Sequence, residues 1–120
     1  MIYTASYFDT IRHYGTLISI SNSEPKGFVT HGKFVGLKPA WRYVQALKDG
    51  KITFTQFARL YRKKLDKFPW DMSDAAAVLE QFNSGEKHCT LLCWEKDPRD
   101  CHRYVLGHWL RKKGYTVVIH

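Results

Sequence analysis

The residues with the most versatile chemistry lie together in residues 90–114. Glu95 can transfer a proton, Cys101 can act as a nucleophile, and His102 can act as an acid or a base. Arg103 follows directly, and its planar guanidinium suits an anionic substrate group. We therefore predict that Glu95, Cys101 and His102 are catalytic and that Arg103 binds an anion.

A strand, a helix and a second strand are predicted to position these residues. The apolar run over residues 91–94 is short and ends in charge, which is typical of a buried strand. A helix is predicted over residues 98–113, with Asp97 as its N-cap, and a final strand over residues 116–120. In open α/β sheets, ligands bind beyond the carboxyl ends of the strands, where residues 95–103 would lie.

Two roles are open for the reactive side chains of this turn. In the first turn of the predicted helix, the helix dipole and the neighbouring His102 and Arg103 would favour the thiolate of Cys101. Alternatively, Cys101 only packs on the apolar stripe of the helix, because free cysteine is often buried. Glu95 likewise serves as an acid, a base or a ligand of sugar hydroxyls, or it only forms an ion pair with Arg103 or Lys96.

A metal site and a redox pair are further alternatives in the same stretch. Cys93, Cys101 and His102 are potential zinc ligands, with Cys89 or His88 as a fourth. Structural zinc sites usually contain ligand pairs about two to four residues apart, whereas seven residues separate Cys93 from Cys101. A redox pair of these two cysteines requires the loop between them to fold back. The sequence therefore predicts no metal ligands and no cofactor, and it leaves zinc as a disfavoured alternative.

The positive charge is concentrated in one third of the chain. Residues 33–67 contain ten Lys or Arg and two acidic residues, whereas the rest contains nine of each, so the net charge of +8 comes from this region. Two amphipathic helices are predicted there, one opening at Pro39 and one at Thr53 or Thr55. Such a surface suits nucleic acid, although a charged helical face can also serve only solubility. The predicted nucleic-acid-binding residues are Lys38, Arg42, Arg59, Arg62, Lys63 and Lys64.

The remaining patterns complete an α/β domain. Two more strands are predicted over residues 2–8 and 16–21. A loop is predicted over residues 28–38 and a third helix over residues 74–82. Ser19 and Ser21 point to the same side of the second strand, near its carboxyl end. We predict a single, compact, Rossmann-like three-layer α/β domain over residues 1–120, with a small, mostly parallel sheet.

Length and composition exclude several classes of protein. A chain of 120 residues can bury an ordinary core without disulfides or metal. The chain has no run of about 18 apolar residues, and its first residues lack the basic start and apolar block of a signal peptide. Three cysteines are an odd number without a framework spacing, which favours reduced thiols. We therefore predict a cytoplasmic protein without a membrane partner.

Two motifs resemble a known family. Leu-Cys-x-Glu-Lys at residues 92–96 and Cys-His-Arg at residues 101–103 are similar to the paired signature of the domain-of-unknown-function family 488. Many members have Asp-Val-Arg in the second strand, whereas Ser19, Ile20 and Ser21 resemble a subgroup with Ser-Ile there. The likeness also includes residues 25–27, 37–39 and 61–62, and it covers nearly the whole chain. The resemblance implies a compact α/β domain and leaves the activity open.

Three functions are compatible with these patterns. The first is a pocket at the strand ends for an anionic nucleotide or nucleic-acid group, with glycosidic or phosphoryl-group chemistry. Its catalytic residues would be Glu95, Cys101 and His102, and its substrate-binding residues Arg103, Ser19, Ser21 and Lys96. The second is a non-catalytic nucleic-acid-binding module that uses the basic region and weakens steeply with salt. The third is a thiol-linked or metal-linked regulatory protein.

Overall fold

A parallel β-sheet forms the centre of the computed structural model, which describes residues 1–9, 13–83, 86–95 and 101–120. Its strands are β1 (Ile2–Ser6), β2 (Thr16–Ser19), β3 (Gly32–Lys33), β4 (Cys89–Cys93) and β5 (Val117–Ile119). They lie in the order β3-β2-β4-β1-β5, and every neighbouring pair is parallel. All five carboxyl ends therefore meet at one edge. The predicted compact, Rossmann-like α/β architecture with a mostly parallel sheet is confirmed.

Local capping signals set the limits of several helices. Within the described ranges the α-helices are α1 (Trp41–Lys48), α2 (Phe54–Lys67), α3 (Asp74–Glu80) and α4 (His102–Lys112). Thr53 caps α2 in a capping box with Gln56, in which each side chain accepts a hydrogen bond from the other residue's backbone N–H. Ser73 caps α3 by accepting from the backbone N–H of Ala76. None of the helices in these ranges has the length and apolarity needed to cross a membrane.

The two faces of the sheet carry cores of different size. The larger core lies on the face that α2, α3 and α4 cover, and it includes Leu91. On the other face, Tyr7 and Leu92 pack against Phe28 and Trp94. Successive residues of a strand point to opposite faces, so Leu91 and Leu92 contribute to different cores. Strand β4 is therefore buried on both faces, as expected for a central parallel strand.

Helix α4 lies directly on the sheet, against β1, β4 and β5. A Cβ atom at Gly107 would lie only 2.6 Å from Cγ1 of Ile119, so glycine permits this close approach. Val105, Leu106 and Leu110 are buried in the same interface. The packing fixes the direction of the helix, and with it the position of the residues at its amino end.

Two differences from the sequence prediction go beyond a shift of one or two residues at the end of an element. Strand β3 lies inside residues 28–38, which were predicted to be a loop. It is a two-residue edge strand without apolar alternation, so no sequence pattern predicts it. The strand is defined only by its backbone pairing with β2. Helix α4 begins at His102 with an extended Cys101 as its N-cap, so the predicted start at Pro98 is wrong. Pro98 itself and its predicted cap Asp97 lie outside the described residues.

Candidate functional site

A cavity of about 280 Å³ opens at the carboxyl ends of β2 and β4. The residues that line it come from three parts of the fold: the segment after β2, helix α1, and the junction between β4 and α4. Those with polar or aromatic groups include Ser21, Trp41, Lys48, Trp94, Glu95 and His102. The structure therefore brings together Glu95, His102 and Ser21 of the residues predicted from sequence.

Helix α1 supplies the outer wall of the cavity. Trp41, Val44 and Lys48 lie on one side of this helix because residues three, four and seven apart share a face. The Lys48 ammonium lies 5.7 Å from the ring centroid of Trp41, within cation–π range. The indole of Trp41 is 55% exposed, which leaves its surface open to a ligand.

Trp94 supplies the opposite, more rigid wall. Its indole Nε1 donates a hydrogen bond of 2.6 Å to the carbonyl oxygen of Ser23. Its ring also packs edge to face against Tyr7, with centroids 5.9 Å apart. Sequence reasoning missed Trp41, Lys48 and Trp94 as site residues. The signal available for Trp94 was its position as the last residue of the predicted buried strand, at the carboxyl end where ligands bind.

His102 joins the amino end of α4 to the end of β2. Its Nε2 lies 2.7 Å from the carbonyl oxygen of Ile20, and its ring packs edge to face on Tyr61. Burial lowers the pKa of His102 to about 4, although its hydrogen bond to Ile20 opposes the shift. The ring is therefore neutral at neutral pH. Because a carbonyl only accepts, Nε2 carries the proton and Nδ1 presents a lone pair, 3.8 Å from Sγ of Cys101.

Cys93 and Cys101 are brought together below the cavity. Their sulfur atoms lie within bonding distance, as in a disulfide, and their Cα atoms are 7.4 Å apart. Both side chains are buried. The sequence left a pairing of these two cysteines open as an alternative, and the structure brings their sulfur atoms together. Cys89 lies apart as a free, buried thiol whose pKa burial raises to about 12.

Arg103 is fully buried, and it is not among the residues that line the cavity. Its Nε donates to the carbonyl oxygen of His120 at 2.9 Å, and its Nη1 donates to Sγ of Cys93 at 3.1 Å. Nη1 also donates to the carbonyl oxygen of Glu95. These bonds hold the ends of β4 and β5 together. They give Arg103 a structural role beside the anion-binding role predicted for it, which stays a prediction.

The two serines predicted to bind substrate share a buried hydrogen-bond network with Tyr7. The Tyr7 hydroxyl lies 2.8 Å from Oγ of Ser19 and 2.8 Å from Oγ of Ser21. Ser21 also donates to the carbonyl oxygen of Ser23 and lines the cavity, whereas Ser19 is fully buried and is not among the lining residues. Burial raises the pKa of Tyr7, which keeps its hydroxyl protonated. Sequence reasoning did not identify Tyr7.

The basic region forms an exposed surface on α1 and α2. Arg59, Lys63 and Lys67 recur every four residues on the exposed side of α2, so they form one row. The ion pair found within the described ranges joins Lys33 to Glu24. In those ranges, therefore, no carboxylate forms an ion pair with this row. Of the other predicted nucleic-acid-binding residues, Arg42, Arg62 and Lys64 are exposed and Lys38 is partly buried. Lys96, predicted to bind an anion, lies outside the described residues.

A model of a known protein family matches most of the chain. The model of the DUF488-N3a family, which is described as the active DUF488-N3 subclade, matches residues 3–114. Neither the curated proteins nor the solved structures gave a match. The matched range contains both walls of the cavity, Trp41 and Trp94, and the amino end of α4.

The hydrogen bonds of Tyr7 give a first testable prediction. Tyr7→Phe should lower the free energy of unfolding by about 1–3 kcal/mol, because the buried hydroxyls of Ser19 and Ser21 lose their common partner. Urea unfolding followed by circular dichroism measures the change. Tyr104→Phe is the matched control, since Tyr104 is 39% exposed, and it should change stability by less than about 0.5 kcal/mol. Equal effects of the two substitutions would contradict the prediction.

Proposed function

The chain belongs to the DUF488-N3a family, and for this member we propose that the cavity binds an anionic nucleotide or nucleic-acid group. The observation that carries the proposal is the combination of groups around the cavity. Two indole rings, Trp41 and Trp94, line the cavity, and the ammonium of Lys48 lies beside Trp41. Ser21 and Glu95 add polar groups to the lining. Aromatic rings suit a base, an ammonium suits a phosphate, and hydroxyl and carboxylate groups suit a sugar.

The size of the cavity limits the ligand. Ligand pockets usually measure about 300–1,000 Å³, and this cavity of about 280 Å³ lies just below that range. It suits one base with its sugar, and the phosphate would then lie near the mouth. Lys48 is exposed and lies beside the exposed ring of Trp41, so its charge is available there.

Trp41 is the residue expected to contribute most to binding. Stacking of a base on an aromatic side chain is worth about 1–3 kcal/mol. Trp94 already donates its N–H to Ser23, so its ring is oriented before a ligand arrives. Trp41 is more exposed and has more area to bury on binding.

The chemistry that fits this pocket is cleavage or transfer at a glycosidic or phosphoryl bond. Both reactions need a group that moves a proton beside the bound nucleotide, and Glu95 lines the cavity. Its backbone carbonyl accepts from the buried Arg103, which positions the main chain at this point. His102 lines the same cavity, but its Nε2 proton is donated to Ile20. Glu95 is therefore the favoured proton-transfer group.

Binding can be tested by isothermal titration calorimetry with the four ribonucleoside monophosphates. Trp41→Ala should weaken the tightest of these complexes by about 5- to 150-fold, the equivalent of one lost stacking contact. Lys48→Ala should weaken it as well, because the phosphate loses a cation. Lys51→Ala removes an exposed lysine that does not line the cavity, and it should leave the affinity unchanged. No binding by the unchanged protein, or full affinity of Trp41→Ala, would reject the proposal.

Turnover is a separate prediction. The protein should release free base or inorganic phosphate from a bound nucleoside monophosphate or a short single-stranded oligonucleotide, which chromatography and a phosphate assay detect. Glu95→Gln should lower that rate by about 10²- to 10⁴-fold without a matching loss of affinity. The control Glu80→Gln changes an exposed carboxylate on α3 and should retain full activity. If neither product is formed, the cavity is a binding site and the catalytic part of the proposal is wrong.

A second candidate function is nucleic-acid binding by the basic row Arg59, Lys63 and Lys67. Three exposed cations in line, without carboxylate partners in the described parts of the chain, match the phosphates of an extended strand. Arg42 on the neighbouring α1 is also exposed and would extend this surface. The cavity would then receive one nucleotide of a longer polymer.

The basic row predicts a strong dependence on salt. Reversal of Arg59, Lys63 and Lys67 to Glu should weaken binding of a fluorescent single-stranded oligonucleotide. It should also reduce the slope of log K against log salt by about 2, at about 0.7 per lost phosphate contact. Reversal of the scattered, exposed Lys26, Lys87 and Lys112 makes the same change in net charge, and it should affect the slope less. Equal slopes for the two triple variants would reject a specific basic row.

A further inference from the structure

Three potential metal ligands converge at the carboxyl end of β4. The ligand atoms of Cys93, Cys101 and His102 all lie within 4.8 Å of one another, and all three side chains are buried. Cys93 is the last residue of β4, Cys101 is the N-cap of α4, and His102 begins that helix. The set forms only in the folded chain, because the sequence separates Cys93 from the other two.

The imidazole of His102 is oriented as a metal ligand requires. A carbonyl oxygen accepts the proton on Nε2, which leaves the lone pair of Nδ1 directed toward the sulfurs, 3.8 Å from Sγ of Cys101. Histidines that bind metals usually donate their other ring N–H to such an oxygen, which fixes the ring. Ile20 supplies that oxygen here. Packing against Tyr61 further restricts the ring.

The surroundings of the sulfurs favour thiolates, the form that binds metal. Nη1 of Arg103 donates a hydrogen bond to Sγ of Cys93 at 3.1 Å. Cys101 lies at the amino end of α4, where the unpaired backbone N–H groups and the helix dipole stabilise negative charge. A hydrogen bond from a cationic donor favours the charged sulfur over the neutral thiol.

The backbone spacing of the two cysteines is wide for a permanent disulfide. Their Cα atoms are 7.4 Å apart, whereas disulfides usually have a separation of about 4.4–6.8 Å. An ion held between two sulfurs permits a wider spacing than a covalent bond does. The wide Cα spacing therefore suits a shared metal ion, which would hold the two sulfur atoms farther apart than the bonding distance at which they lie in this structure.

From these four observations we infer that Cys93, Cys101 and His102 bind a zinc ion. Zinc accepts thiolate and imidazole ligands and takes four ligands in a tetrahedron, so three protein ligands leave one position for solvent or a ligand. Binding displaces the proton of each thiol, and the two thiolates balance the charge of Zn²⁺. The inference goes beyond nucleotide binding and does not depend on it.

The test uses the full chain, without a histidine tag, purified under reducing conditions from medium supplemented with zinc. Elemental analysis should find about one zinc ion per chain, as one set of three ligands holds one ion. Replacement by Co²⁺ should give the near-ultraviolet sulfur-to-cobalt band of thiolate ligands. Alkylation mapped by mass spectrometry should show that zinc protects Cys93 and Cys101, and that a chelator exposes both.

Variants assign the ligands. Cys93→Ser, Cys101→Ser and His102→Gln should each lose the stoichiometric zinc, with near-ultraviolet circular dichroism as the check on folding. Cys89→Ser is the matched control, because this buried thiol lies outside the cluster, and it should retain the ion. The cobalt band and the alkylation map of the unchanged protein decide the question if the ligand variants do not fold.

Three results would overturn the inference. The first is unchanged protein without zinc and without the cobalt band after exposure to both metals under reducing conditions. The second is a Cys93–Cys101 disulfide, found by mass spectrometry in protein exposed to zinc and reductant together. The third is full zinc content in folded His102→Gln, which would exclude the imidazole as a ligand.

Discussion

The fully buried guanidinium of Arg103 is the interaction on which the carboxyl edge of the sheet depends. Removing a charge from water is costly, so a buried guanidinium needs acceptors for its N–H groups. Arg103 donates to the carbonyl oxygen of His120 after β5, and to Sγ of Cys93 and the carbonyl oxygen of Glu95 at the end of β4. Because β1 lies between β4 and β5, one side chain joins segments on both sides of a strand. The main chain that presents Glu95 is thus held from within the protein.

His102, the next residue toward the amino end of α4, makes the corresponding link to β2. The side chains of neighbouring helical residues point about 100° apart. At the amino end of α4, His102 therefore reaches Ile20 on one side, and Arg103 reaches His120, after β5, on the other. This gives the cavity one fixed wall, formed by His102 and Trp94. The other wall belongs to α1, which contains no buried residue and presents the exposed Trp41. We expect a ligand to order the α1 side more than the α4 side.

The proposed functions use different physical features of the molecule. Nucleotide binding would rest on aromatic area and on one cation, whereas binding along α2 would rest on exposed charge screened by salt. The proposed metal site rests on buried ligands. His102 links the metal site to the cavity, because its ring lines the cavity while its Nδ1 faces the sulfurs.

The sequence by itself determined the features that depend on neighbouring residues. The apolar run of β4, the Thr53 cap of α2 and the Ser73 cap of α3 were predictable because periodicity and capping act within a few residues. Only the tertiary structure decided that Cys93 meets Cys101, that Arg103 is enclosed, and that α1 forms a wall opposite β4. These contacts join residues far apart in the chain, and sheet order and helix packing set their distances. No local pattern encodes such distances. The sequence therefore placed Glu95 and His102 at the strand ends, where they line the cavity, but it gave no sign that Trp41 lies opposite them.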